Sequence, residues 1–145
     1  MIRDSDKLRP HERLDVWRDA MALVESVYRV TARFPNDERL GLTMQLRRAA
    51  VSVPSNIAEG AARRSTAEYL RFLSMARGSL AEIGTQLEIA ERLGFRTPDP
   101  ALDAQLDRTF ARLNALIRSL DTSRSVREPG AAHYESPIPN PQSHA

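Results

Sequence analysis

From Leu14 onward, apolar residues recur at steps of three and four, the spacing that keeps them on one face of an α-helix. The first run puts Leu14, Trp17, Met21, Val24 and Tyr28 in one stripe, widened by Val27 and Phe34, and predicts a helix over about 14–34 with Trp17 as its largest core anchor. Phe34-Pro35-Asn36-Asp37 ends it, because proline cannot continue a helix. Asn36 is a good N-cap for the next helix, with Asp37 and Glu38 well placed near its positive terminus.

The second stripe, Leu42, Leu46, Ala49, Val53 and Ile57, predicts a helix over about 37–60. Pro54 lies inside it, where it removes an amide donor and crowds the Ala50 carbonyl. The stripe keeps phase across the proline, so a kinked single helix is expected, with Gly60 as its C-terminal cap. Ser65-Thr66-Ala67-Glu68 has the spacing of a capping box and starts a third helix over about 66–93. Tyr69, Leu73, Ala76, Leu80, Ile83, Leu87 and Ala90 give it a heptad-like stripe, and Gly94 supplies a left-handed cap with Phe95 folding back. Asp99-Pro100 opens a fourth helix over about 100–120, with Leu102, Leu106, Phe110, Leu113, Ile117 and Leu120 on one face.

These elements predict an all-α fold: an antiparallel up-down-up-down four-helix bundle with helix two kinked at Pro54. Residues 1–13 read as a flexible N-terminal arm. Residues 121–145 lose the apolar pattern and gain Pro129, Pro137, Pro139 and Pro141, which predicts a disordered tail.

Composition narrows the function classes. A chain of 145 residues fits one domain and buries a sizeable core without staples. It has no cysteine, which removes thiol catalysis and Cys-ligated zinc and fits a reducing compartment. With no signal-like or membrane-length apolar run, a soluble cytoplasmic protein is expected, away from membranes. The formal net charge of +2 conceals its distribution. Arg39, Arg47, Arg48, Arg63, Arg64, Arg71 and Arg77 face only Glu59 and Glu68 over that span, whereas from Glu82 to Asp107 acids outnumber Arg92 and Arg96. The bundle is therefore expected to be electrically polarised.

Leu14-Asp15-Val16-Trp17, Gln45-Leu46-Arg47-Arg48-Ala49, the run Ser52 to Gly60 (SVPSNIAEG) and Ala76-Arg77-Gly78-Ser79-Leu80-Ala81-Glu82 resemble, in colinear order, the bacterial four-helix-bundle proteins of the 23S rRNA intervening-sequence family. The accessory variability proteins of diversity-generating retroelements look like relatives. The resemblance covers about residues 12–120. It implies a homo-oligomer, a pentameric ring or barrel of bundles, and no particular chemistry. For the retroelement relatives it implies a basic surface that meets nucleic acid and a nucleic-acid enzyme.

Three features are candidates for function. In the first, Ser52, Pro54, Asn56, Glu59 and Gly60 either form a polar pocket at the kink or serve architecture, with Asn56 satisfying freed backbone and Glu59 pairing with Arg63 one turn on. Arg47 and Arg77 are plausible partners for the half-buried Asn56 and Glu59. In the second, Arg47, Arg48, Arg63, Arg64, Arg71 and Arg77 lie near the helix-two/helix-three hairpin, where cationic forks suit phosphate. The alternative is ion pairing within or between subunits. Basic residues crowd the first half of helix three and acids its second half, opposite to what the helix dipole favours. No aromatic cluster accompanies the arginines, so contacts with RNA or DNA are expected to be backbone-directed. In the third, Ser74, Gly78, Ala81 and Thr85, flanked by Leu70 and Ile89, lie opposite the core stripe of helix three. Small residues permit close approach, and with the implied oligomer this strip is the expected subunit contact. His11, His133 and His144 lie outside the helices, no catalytic or phosphate-loop motif is present, and Asp99, Asp103 and Asp107 read as a solvated face. No enzyme activity, cofactor or metal is expected.

Overall fold

The structure, a computed structural model, describes residues 8–127. It contains four α-helices and no strand among the described residues: α1 Asp15–Thr31, α2 Leu42–Ala61, α3 Thr66–Arg92 and α4 Pro100–Arg127. The expected arm before residue 8 and the tail after residue 127 lie outside the described residues. Each helix packs on its neighbours in the chain, α4 returns to α1, and the α2–α3 pair is the most extensive contact. No described helix is long and apolar enough to cross a membrane.

One apolar core runs through the bundle. Leu23, Leu46, Ile57, Leu73, Leu80, Ile83 and Leu113 are fully buried in it. Each such side chain contributes roughly 1.5–3 kcal/mol relative to exposure. The core stripes expected for α2, α3 and α4 are the observed ones, with Leu42, Tyr69, Phe110, Ile117 and Leu120 half-buried at the margin.

The stripe of α1 differs. Val16, Ala20, Leu23, Val27 and Thr31 face inward, whereas Met21 and Tyr28 are exposed and Trp17 is half-buried. α1 carries two adjacent apolar rows at helical spacing, and the slimmer aliphatic row fits the close-packed interior. The bulkier row flanks it, and Trp17 meets the His11 ring edge-on at 5.0 Å. His11 belongs to a short 3-10 turn, Pro10–Arg13, that packs on α1 and α2, so the last part of the expected arm is ordered.

The helix ends also separate expectation from outcome. Ser65 caps α3 by accepting from the Glu68 amide at 3.1 Å, and Asp99 caps α4 by accepting from the Leu102 amide at 3.1 Å. Gly94 has φ +76°, and the Phe95 and Gly94 amides donate to the Ala90 and Glu91 carbonyls at 2.8 and 3.0 Å, the two bonds of a Schellman ending. Asn36, in contrast, does not cap α2. Asn36–Glu38 closes into a separate 3-10 turn, α2 begins at Leu42, and the Glu38 carboxylate accepts from the Leu42 amide at 2.9 Å.

Gly60 is not a cap either. α2 continues to Ala61, and a Cβ at Gly60 would lie 2.9 Å from the Phe72 Cβ and 3.2 Å from the Tyr69 carbonyl oxygen. The glycine marks a close approach of α2 and α3. α4 runs past the expected end at 120 because no proline or glycine interrupts the chain before Pro129, so its hydrogen-bond ladder propagates without a core to bury. Asp19, buried to 14% side-chain exposure, ties α1 to α4 through Arg112 at 2.6 Å and Arg108 at 3.9 Å. Nothing in the local sequence pattern marks that pair.

Candidate nucleic-acid interface

The SVPSNIAEG segment resolves into a hydrogen-bonded support. α2 runs unbroken through Pro54, whose ring is buried. The Asn56 Nδ2 donates to the Ser52 carbonyl and to the Ser52 Oγ, both at 2.9 Å, and the Ser52 Oγ lies 2.8 Å from the Ser79 Oγ of α3. Asn56 therefore spends its donors within its own helix, and Ser52 links α2 to α3 across their seam. Glu59 pairs with Arg63 at 2.5 Å, as its spacing suggests. That pair is exposed, and such pairs contribute about 0–1 kcal/mol. Neither Arg47 nor Arg77 reaches Asn56 or Glu59.

The six arginines separate into distinct places. Arg63, Arg64 and Arg71 lie around the α2–α3 turn, where the close approach at Gly60 brings Phe72 beneath Arg63 and Arg71. The Arg63 guanidinium lies 4.9 Å from the Phe72 ring centroid and that of Arg71 lies 5.3 Å from it. One partly buried ring thus carries two cations, an arrangement that holds the guanidinium groups at the surface with little freedom.

Arg47 and Arg48 lie roughly 21 Å up α2 from Ala61, at 1.5 Å per residue. The Arg47 Nε donates to the Thr31 Oγ1 at 2.8 Å and its guanidinium covers the Tyr28 ring at 4.5 Å. Arg48 and Arg39 line the same shallow depression beside Tyr28. Arg77 reaches α4 instead, donating to Asn114 Oδ1 at 3.4 Å.

Two points were not visible in the chain. Arg63 and Arg71 rest on Phe72 and Arg47 rests on Tyr28; each is a single ring that supports cations, not a cluster of stacking surfaces. Arg39 joins the α1–α2 group although it precedes α2. A single signal existed for the first point: Phe72 follows Arg71 directly.

Ion pairing within the chain accounts for few of these cations. Of the six, only Arg63 has a carboxylate partner among the described residues, and Arg48, Arg64 and Arg71 are exposed without one. The family model of the 23S rRNA-intervening sequence protein matches residues 12–118. The chain belongs to that family. No curated protein gives a significant match.

The outer strip of α3 is as open as its spacing suggests. Ser74, Gly78, Ala81, Thr85 and Ile89 are exposed and Leu70 is half-buried. A Cβ at Gly78 would meet nothing within 4 Å among the described residues, and Met75 is 50% exposed one turn before it. The Thr85 hydroxyl donates to the Ala81 carbonyl at 3.0 Å. Near the turn, burial raises the proton affinity of the Tyr69 phenol above the ordinary 10.0.

Proposed function

We propose that this protein is a non-enzymatic, homo-oligomeric, cytoplasmic bundle that binds RNA or DNA, or a nucleoprotein partner, through its arginine-rich surface. One observation carries the reading: Arg64 and Arg71 stand exposed with no carboxylate partner among the described residues, and Arg71 shares the Phe72 ring with Arg63. Fixed, unneutralised guanidinium groups are what phosphate recognition requires, and a backbone-directed contact needs no reader of base edges. In this reading the bundle is antiparallel and up-down-up-down, Pro54 bends α2, and the SVPSNIAEG hydrogen bonds hold the bent helix against α3.

The oligomer, a pentamer in this reading, uses the strip Leu70, Ser74, Gly78, Ala81, Thr85 and Ile89. Gly78 supports it: a glycine inside a helix costs about 1 kcal/mol relative to alanine, and nothing among the described residues requires one there. A second reading, an adaptor whose arginines meet acidic surfaces of other subunits or proteins, is favoured by the acidic second half of α3, which offers Glu82, Glu88 and Glu91. Titration of RNA and DNA oligonucleotides against salt separates the two. Phosphate contacts predict affinity that falls steeply with salt, and an absence of binding at low salt would refute the nucleic-acid reading.

A further inference from the structure

At the opposite end of α3 from the arginine turn, the chain builds a pocket of about 420 Å³ between the C-terminal half of α1, the α3–α4 loop and the start of α4. Its origin is local. The left-handed Gly94 reverses the chain, Phe95 packs toward Phe34 with ring centroids 6.0 Å apart, and Arg96 folds back so that its Nη1 donates to the Leu87 carbonyl at 3.2 Å. Thr97 and Pro98 then close one wall before Asp99 caps α4.

The lining is cationic on one side and apolar on the other. Arg29, Arg33 and Arg96 line it against a single carboxylate, Asp99, which is engaged in capping the Leu102 amide. The Arg33 side chain makes no hydrogen bond or ion pair with the described residues, and that of Arg29 reaches only the Ser26 Oγ at 3.4 Å. Val30, Phe95 and Leu102 supply the apolar wall.

Arg96 is the exceptional member. Its Nε and Nη2 are shielded from solvent and find no acceptor among the described residues. These two nitrogens form the side-on edge of the guanidinium, whose parallel N–H bonds match the two oxygens of a phosphate or carboxylate. Leaving a buried cation edge without an acceptor is expensive, and native structures rarely do so. An oxyanion entering past Arg29 and Arg33 removes the deficit once the Arg96 head turns its free edge toward the cavity.

We propose that this pocket binds a small organic molecule with a phosphate or carboxylate head, gripped by Arg96 and guarded by Arg29 and Arg33, with an apolar body against Val30, Phe95 and Leu102. The volume lies in the range of small-molecule sites, and the mixture of an apolar wall with a few convergent polar groups is typical of them. The site is separate from the arginines of the α2–α3 turn.

Calorimetry on the full chain with phenyl phosphate, benzoate and neutral benzyl alcohol tests it. Phenyl phosphate or benzoate is expected to bind and benzyl alcohol not to bind. Arg33→Gln, at an exposed position that leaves the fold intact, and Arg96→Gln are each expected to weaken binding by at least about tenfold, the size of one lost charged hydrogen bond. Should Arg96→Gln fail to fold, Ala101→Trp, which fills the exposed mouth, is expected to abolish binding in its place. No binding of either anion at millimolar concentration, or equal binding by wild type and Arg33→Gln, would overturn the proposal. RNA binding by Arg33→Gln is expected to persist; loss of both ligands together would place the pocket arginines in the nucleic-acid surface and overturn it as well.

Discussion

Gly60 and Phe72 meet so closely that a Cβ on the glycine would lie 2.9 Å from the Cβ of the phenylalanine. The backbone oxygen of Tyr69, 3.2 Å from the same point, cannot rotate away. This contact brings α3 onto α2 and places Phe72 beneath Arg63 and Arg71. The support of the candidate interface therefore rests on a position with no side chain. Gly60→Ala is expected to lose about 1–2 kcal/mol, overpacking outweighing the better helix propensity of alanine, and urea unfolding measures it.

Gly78→Ala makes the opposite prediction. With open space around the added methyl, the monomer unit is expected to gain up to about 1 kcal/mol. If the strip is a subunit contact, the same change lowers the oligomer mass seen by light scattering; an unchanged oligomer would remove Gly78 from the interface.

Replacing Arg63, Arg64 and Arg71 with glutamine is expected to weaken nucleic-acid binding almost equally for all sequences and to reduce the salt slope by about 2–3, since each phosphate contact contributes close to one unit. The oligomer should persist. An oligomer that dissociates instead would assign these arginines to subunit pairing. Phe72→Leu keeps every charge but removes the ring under two cations, and its affinity is expected to fall by less than the triple substitution.

Ser65→Ala tests the start of α3. The Ser65 Oγ accepts from the Glu68 amide at 3.1 Å, and losing an N-cap acceptor typically costs about 1 kcal/mol. The midpoint of urea unfolding should drop with no change in slope.

Tyr69 predicts a pH dependence. Burial raises its folded-state affinity for the proton above the ordinary 10.0, so the folded protein holds that proton more tightly than the unfolded chain. The resulting stability is fully present below pH 10 and is lost as pH rises through the raised value. Tyr69→Phe should flatten that alkaline loss, measured by unfolding between neutral pH and the alkaline limit.

The sequence by itself determined the four helices, the inward stripes of α2, α3 and α4, and the caps at Ser65, Gly94 and Asp99. Those features depend on periodicity and on bonds between residues a few positions apart, which a linear pattern records. For α1 it pointed to the row of Trp17, Met21 and Tyr28, and the fold turned Leu23 and Val27 inward instead: both rows have helical spacing, and only packing against α2 and α4 discriminates them. Gly60 looked like a cap because a glycine near a helix end usually is one; the reason for it lies on another helix. Pairs such as Asp19 with Arg112, and the convergence of Arg29, Arg33 and Arg96 on one pocket, join residues distant in the chain. Only the folded arrangement decided them, since side chains far apart in sequence meet by virtue of how the helices pack.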